Sequence, residues 1–427
     1  MLRMNACARL LASVLVVSGL AGCASWPKQW GGKPCCIESK PVVRRAPIWW
    51  HLFDVTVLEP LETPFRLGRP LRKRLGLPVR AQNASDGAIT ATTFLEEDRG
   101  PETLAPEQVR WGPTRPDDLI KPPVVITKAK TEGKTAGFFV KDSRGEKYLL
   151  KLDPVATPEL LSGAEVVASK LLYALGYRVP SYEAAMIPAG EFTIGEKPVA
   201  GLTQAKLEDL LAGRAKDGLV RVSASKLLKG DIIGPVPFKK FRDCSEVRAL
   251  RLAYAWLNNI DTKDHNSLLV WDGTQTRAYL IDFGTSLGAD AGAGGPKNPC
   301  AGWRHIVDLR ESSLELLTLG LHPSACHFEH RPVSPAVGLY SAEFDPKRWK
   351  PYAPNSAFKE MDDEDARWIA RRIRALSHAQ IEAAVAAGQY SDPADAAYLV
   401  ETLERRRRLI AEHYLEDELG DAEGDGD

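Results

Sequence analysis

A chain of 427 residues, 44% hydrophobic and 26% charged, is long enough to bury a large core and has the composition of an ordinary globular protein. Lys plus Arg and Asp plus Glu number 56 each, so the formal net charge is zero. That balance argues against a partner held by bulk charge, such as a nucleic acid.

The first residues are a targeting segment and stand apart from the fold. Arg3 and Arg9 give a positive start, and 10–20 ("LLASVLVVSGL") is an apolar run too short to span a bilayer as a mature helix. The run ends in Leu20-Ala21-Gly22-Cys23, which resembles the lipobox of bacterial lipoproteins. The resemblance implies a signal peptide over 1–22 and a lipid on Cys23, which becomes the new N-terminus and a membrane anchor in the cell envelope. Ala24, in place of Asp, implies the periplasmic face of the outer membrane if the host is Gram-negative. An ordinary secretory signal is the plainer alternative.

Export places the remaining cysteines, Cys35, Cys36, Cys244, Cys300 and Cys326, in an oxidising compartment. Cys300 and Cys326 flank a polar stretch and are the foremost candidates for a disulfide. A rival reading groups them with His305 and His330 around zinc, although the spacing fits no compact metal motif. Adjacent Cys35 and Cys36 fall in an expected tether and are read as unstructured.

Residues 23–120 read as that tether and an irregular N-terminal extension, rich in Pro, Gly and charge without clear periodicity. No internal repeat or sustained heptad is present. Strong patterning starts near 124. "VVITKAKT" and "GFFVKD" predict two strands, "SRG" a turn, and "EKYLLKLD" a third strand. A helix is predicted next, with Thr157 as N-cap, Pro158 at its first position and Gly176 past its end. Leu161, Ala164, Ala168, Leu171 and Leu175 mark its apolar face. Further strands are expected at "EAAMI" and "LVRV", and a helix over about 245–257. Later helices are signalled by Ser377 with Gln380, a capping box, and by Asp392 before Pro393. The acidic tail, 418–427, is expected to be disordered.

Glu165 is the first anomaly, because its spacing sets it on or beside the buried stripe of the predicted helix. A carboxylate there needs a partner, and Lys151 on the preceding strand is the nearest candidate. Taken alone, this is a structural ion pair. A second cluster changes its meaning. "DTKDHN" places Asp261, Lys263 and Asn266 in the pattern D-x-K-x-x-N, just before an apolar hairpin. The hairpin turns at Asp272-Gly273 and returns to Asp282-Phe283-Gly284, which brings Asp282 back towards Asn266. A carboxylate and an amide oxygen so placed suit Mg²⁺, which prefers oxygen ligands.

In this order and spacing, residues 121–290 resemble the protein-kinase-like superfamily, nearest its atypical branches such as the HipA-type bacterial kinases, the phosphatidylinositol kinases and the spore-coat kinases. The resemblance implies an α+β, two-lobed fold. A small β-rich N-lobe would cover 121–225, and a helical C-lobe 226–417, with ATP between them. It further implies that Lys151 and Glu165 position nucleotide phosphates, with Gly133 and Gly137 in the covering loop. Asp261 would take the proton of an acceptor hydroxyl, Lys263 would neutralise the transferring phosphate, and Asn266 and Asp282 would hold Mg²⁺ or Mn²⁺.

The chain departs from the family pattern in several places. Ile260 stands where an Arg is usual, "TEGKTAG" has only two glycines, and no A-P-E follows Gly284. "GKT" at 133–135 is not a Walker loop, because Lys128 occupies the position of its first Gly. His265 reads as a loop-holding histidine rather than a second base. The arginine run 405–408 with Glu404 reads as a solvated helix face, with an anionic patch as the sharper alternative.

The expected function is therefore metal-dependent phosphoryl transfer from a nucleotide to an unidentified protein or small-molecule acceptor, carried out by a lipid-anchored envelope protein. Envelope compartments hold little ATP, which keeps open a pseudokinase that binds nucleotide or another ligand without turnover. A third reading is an envelope lipoprotein in which these residues only stabilise the core.

Overall fold

The computed structural model describes residues 35–418, apart from 46, 63–67, 69–70, 73–74, 78, 86–87, 91, 97–98, 131–134, 197–198, 200, 320, 323–325 and 327–330. Cys23, Gly133, His330 and the acidic tail from 419 onward lie outside the described residues.

The N-terminal extension is built onto the body. Helix α1 (Ile48–Phe53) passes through a π-helical turn, Asp54–Leu58, into α2 (Glu59–Glu62). Upstream of it, Ile37 bridges to Thr276, and the Arg44 amide donates to the Ile233 carbonyl at 2.6 Å. Cys35 is fully buried and forms a disulfide with Cys244, 209 residues away. The tether reading of Cys35 was therefore wrong. Nothing local marks the pair, because the two thiols meet only through the tertiary fold. Helix α3 (Pro106–Trp111) follows, with Gln108 closing its first turn onto the Ala105 amide.

Strands β1 (Val124–Ala129), β2 (Gly137–Lys141) and β3 (Lys147–Leu152) form the expected antiparallel meander. Asp142 makes the β2–β3 turn by accepting from the amides of Arg144 and Glu146 at 2.9 and 3.0 Å, while Gly145 takes a φ of 81°. Helix α4 (Leu160–Ala174) starts later than its sequence signals indicate. Thr157 does not cap it. Asp153, just past the end of β3, accepts from the amides of Leu161 and Ser162 at 2.9 and 2.8 Å, so a carboxyl takes the place of the expected hydroxyl cap. Gly176, at φ 98°, ends the helix as expected.

Strand β4 (Tyr182–Pro188), β5 (Phe192–Ile194), helix α5 (Gln204–Ala212), β6 (Ala215–Lys216) and β7 (Leu219–Lys226) complete a seven-stranded sheet. Its order is β4-β7-β3-β2-β1-β5, with β6 paired to β7. Only β1 and β5 run parallel; the other pairs are antiparallel. Val124, Ile126, Leu150, Val220 and Val222 anchor a core under this sheet.

The rest is mainly helical. Strand β8 (Asp231–Gly234) leads to helix α6 (Ser245–Trp256), the axis of the larger core through Val247, Leu250, Tyr254 and Trp256. The hairpin strands β9 (Ser267–Trp271) and β10 (Thr276–Leu280) form a three-stranded sheet with β8. Helices α7 (Leu309–Leu317), α8 (Asp363–Ala375), α9 (His378–Ala386) and α10 (Pro393–Tyr414) follow. The caps at Ser377 and Asp392 are in place. The molecule is thus a mixed α+β protein with a β-sheet lobe and a helical region.

Cys300 and Cys326 form the second disulfide, which rules out their use as thiolates for zinc. The arginine run is not one solvated face. Arg405 and Arg408 are exposed, but Arg406 is buried and donates to the carbonyls of Trp256, Ala255 and Ser341 at 2.6–2.8 Å. Its guanidinium also lies 3.8 Å from the Phe344 ring centroid. A long side chain that satisfies several carbonyls at once can be buried despite its charge.

Candidate functional site

The hairpin fixes the site by register. Ser267 pairs with Leu280, so Asn266 and Ile281 meet next, and the Ile281 amide donates to the Asn266 carbonyl at 3.0 Å. Asp272 holds the turn, accepting from the amides of Thr274 and Gln275 and from Arg277 Nε, while Gly273 adopts φ 106°. Asp282 follows immediately. Its φ of 60° lies in the left-handed region, a conformation that non-glycine residues hold only when their surroundings over-determine it. Those surroundings are visible. The Asp282 amide donates to Tyr182 Oη at 3.3 Å, and the buried Phe283 ring meets Tyr182 edge-on at 5.7 Å.

Lys151 reaches this corner from β3. Its ammonium pairs with Glu165 on α4 and donates to Asp282 Oδ1 at 2.9 Å. Glu165 is 1% exposed, and its second oxygen accepts from Ser223 Oγ at 2.7 Å. Ser223 stands opposite Lys151 in the β3–β7 register, so strand pairing sets the whole triad. Burial works against the charge of Lys151, but the Asp282 and Glu165 carboxylates overcome it and raise its pKa. Burial likewise opposes ionisation of Asp282. Lys151, with Lys263 and Lys130 further off, outweighs that penalty and lowers its carboxyl to about 2.

Asp261 and Lys263 pair with each other in the loop before the hairpin. Asn266 Nδ2 donates to the Asp261 carbonyl at 2.7 Å, which curls the loop and leaves the amide Oδ1 facing away from that bond. From the other side, the Tyr352 amide donates to the Ile260 carbonyl at 2.8 Å, and Asn355 Nδ2 to the Thr262 carbonyl at 3.0 Å. Ile260 is fully buried.

Sequence reasoning missed Asp264, Ser223 and Tyr182. Asp264 Oδ1 accepts from the Phe238 amide at 3.2 Å, and Oδ2 accepts from Arg44 at 3.2 and 3.3 Å. His51 of α1 also approaches Asp264, and its ring lies 6.0 Å from that of His265. The N-terminal extension therefore braces the loop that carries Asp261. Gly137 has a packing explanation, since a Cβ there would lie 2.4 Å from the Leu150 carbonyl oxygen. Two residues before it, Thr135 Oγ1 donates to the Ala291 carbonyl at 3.4 Å.

No family model matches the chain, and no curated protein does. Among solved structures it is similar to a Helicobacter pylori proinflammatory kinase, CtkA, at a TM-score of 0.36 and 11% identity, covering 67% of this chain and 93% of that one. A likeness that coarse carries no argument about lineage or activity. The geometry stands by itself: an ionised carboxylate, a buried lysine, an amide and a second acid on a braced loop.

Proposed function

We propose that the chain is a lipid-anchored, kinase-like phosphotransferase of the cell envelope that moves a phosphoryl group from a nucleotide to a hydroxyl acceptor. The observation that carries this reading is Lys151. One buried ammonium touches both the helix carboxylate Glu165 and the hairpin carboxylate Asp282. A lysine shared between two carboxylates, one of them a third exposed, can exchange its Asp282 contact for a phosphate while Glu165 keeps it aimed.

Each remaining residue then has a role. Asp261, a quarter exposed, is the base for the acceptor hydroxyl, and Lys263 beside it offsets charge on the transferring group. Among the described residues no group of three or more His, Cys, Asp and Glu gathers as a self-sufficient metal site. Asn266 and Asp282 nevertheless fit Mg²⁺ or Mn²⁺, with an amide oxygen turned away from its own hydrogen bond and a carboxylate held ionised. Asn266 and Asp282 would hold the ion, which would supply positive charge to offset that of nucleotide phosphates.

The pseudokinase reading has one observation of its own. Contact with the Leu150 carbonyl accounts for Gly137, which removes one of the two glycines that would cover phosphates. The test is thermal shift of the full chain with ATP, with and without Mg²⁺ or Mn²⁺, followed by phosphate-release assays. Metal-dependent stabilisation with turnover supports the enzyme, and stabilisation alone supports the binder. No response to any nucleotide under reducing or oxidising conditions sinks both.

A further inference from the structure

An open cavity of about 670 Å³ lies beside the segment that braces Ile260 and Thr262. Arg251, Lys347, Arg348, Lys350 and Lys359 line it, against one carboxylate, Glu311. Lys347 and Arg348 are exposed, and the Arg348 guanidinium stands 5.9 Å from the Trp303 ring centroid. Lys350 pairs with Asp308 and Glu311, and Lys359 with Glu59, so the cations that face solvent here are Lys347 and Arg348.

Two apolar surfaces flank it. The α1–π–α2 helical stretch, whose Glu59 pairs with the lining residue Lys359, is amphipathic in the reverse sense. His51, Val55 and Glu59 face the protein: His51 meets Asp264, Val55 is buried, and Glu59 accepts from Ser356 Oγ at 2.7 Å and pairs with Lys359 at 3.5 Å. Trp49, Phe53, Val57 and Leu61 point outward, 65%, 42%, 38% and 56% exposed. A helix bordered by water puts charge outside and hydrocarbon inside. Helix α7 contributes Glu311 and Leu314 to the cavity lining. Beyond them Leu316, Leu317, Leu319 and Leu321 are 76%, 80%, 90% and 86% exposed. The Cys300–Cys326 disulfide closes the base of this segment.

We propose that this face docks on an anionic phospholipid membrane. The outward Trp, Phe and Leu side chains enter the boundary between headgroups and acyl chains, and Lys347 and Arg348 meet lipid phosphates. Charge complementarity favours lipid over a second copy of the chain, because a two-fold contact through this face would set cation against cation. No helix among the described residues is long and apolar enough to cross a membrane, so the contact is peripheral. The proposal rests neither on lipidation of Cys23 nor on nucleotide chemistry. His51 belongs to the docking stretch and packs on Asp264, so lipid contact bears on the loop that carries Asp261.

Vesicle co-sedimentation tests it, using the full chain with Cys23→Ala in every sample so that no acyl anchor contributes. The parent is compared with Leu317→Ser/Leu319→Ser and with Lys347→Glu/Arg348→Glu. Vesicles contain either phosphatidylglycerol mixed with phosphatidylcholine or phosphatidylcholine alone. The parent should prefer the anionic vesicles, and the leucine variant should bind both kinds about tenfold more weakly. The charge-reversed variant should lose the anionic preference and its salt sensitivity. All four positions are on the surface, so melting temperatures should match the parent. Equal binding by parent and variants overturns the proposal. So does quenching of tryptophan fluorescence by glycerol phosphate when the variants leave vesicle binding unchanged, which would mark a site for a soluble anion. Light scattering that shows a dimer dissolved by the leucine substitutions would assign the face to a second copy, and also overturns it.

Discussion

Lys151 donates to Asp282 at 2.9 Å while its ammonium also pairs with Glu165, so one buried cation joins β3, α4 and the end of the hairpin. Lys151→Met keeps the volume and removes the charge. Glu165 is then buried with only Ser223 to satisfy it. Breaking a buried pair from one side costs about 3–5 kcal/mol, and a loss of that size is expected in urea unfolding. Adding Glu165→Gln to Lys151→Met should recover a good part of it. A single variant as stable as the parent would show that the pair is solvated in solution.

Asp282 gives the site a pH signature. Its folded pKa is lowered from 3.8 to about 2 by the lysines around it. The folded state therefore binds fewer protons than the unfolded chain in that interval. The stabilisation is fully present above the unfolded value and is lost as pH falls through about 2. Melting temperature measured from pH 5 to pH 2 should fall less steeply in Asp282→Asn than in the parent. Parallel curves would mean that Lys151 does not hold the carboxylate ionised.

Much of this architecture is legible in the sequence because it is local. The β1–β2–β3 meander follows from alternation, the apolar face of α4 from helical spacing, and the pairing of Asn266 with Ile281, the residue before Asp282, from the turn at Asp272-Gly273. The Lys151–Glu165 contact was readable because a carboxylate on a buried stripe demands a cation. What was hidden depends on register or on distant chain. Ser223 serves Glu165 only because β7 sets it opposite Lys151. Asp264 is one more acid in "DTKDHN" until Arg44 and His51 arrive from the N-terminal extension. Arg406 looks like its exposed neighbours, and only the helix phase against Trp256 buries it.

The Cys35–Cys244 bridge closes a span of 209 residues and ties the extension to the start of α6. Linking such distant points restricts the unfolded chain strongly, and losing a native disulfide costs about 2–5 kcal/mol. Cys244→Ser should lower stability on that scale. Thiol counting on the unfolded, unreduced parent should find Cys35 and Cys244 unreactive. If both react, the bridge does not form in the cell.

Cys23 is expected to carry lipid, because the apolar run ends in Leu20-Ala21-Gly22-Cys23. Mass spectrometry of the mature N-terminus should find a chain that begins at Cys23 and is heavier by its acyl groups. Cleavage elsewhere, or an intact N-terminus, would leave a secreted or signal-anchored protein.

Asp261 separates chemistry from binding. It pairs with Lys263 on a loop held by Asn266, Tyr352 and Asn355, and its carboxylate makes no direct contact with Lys151 among the described hydrogen bonds and ion pairs. Asp261→Ala should therefore leave metal-dependent nucleotide binding intact and lower turnover by about 10²–10⁴-fold, the range for a lost general base. Asp282→Ala should abolish that binding, because it removes the carboxylate that would hold the metal. A pseudokinase gives a different pair of results, with Asp282→Ala weakening binding and Asp261→Ala changing nothing measurable. A purely structural role gives a third, in which both variants shift the melting temperature and neither responds to nucleotide. Calorimetric titration with ATP and Mg²⁺, alongside phosphate release on the same samples, distinguishes the three. Loss of nucleotide binding in Asp261→Ala with an unchanged fold would remove that residue from the role of base.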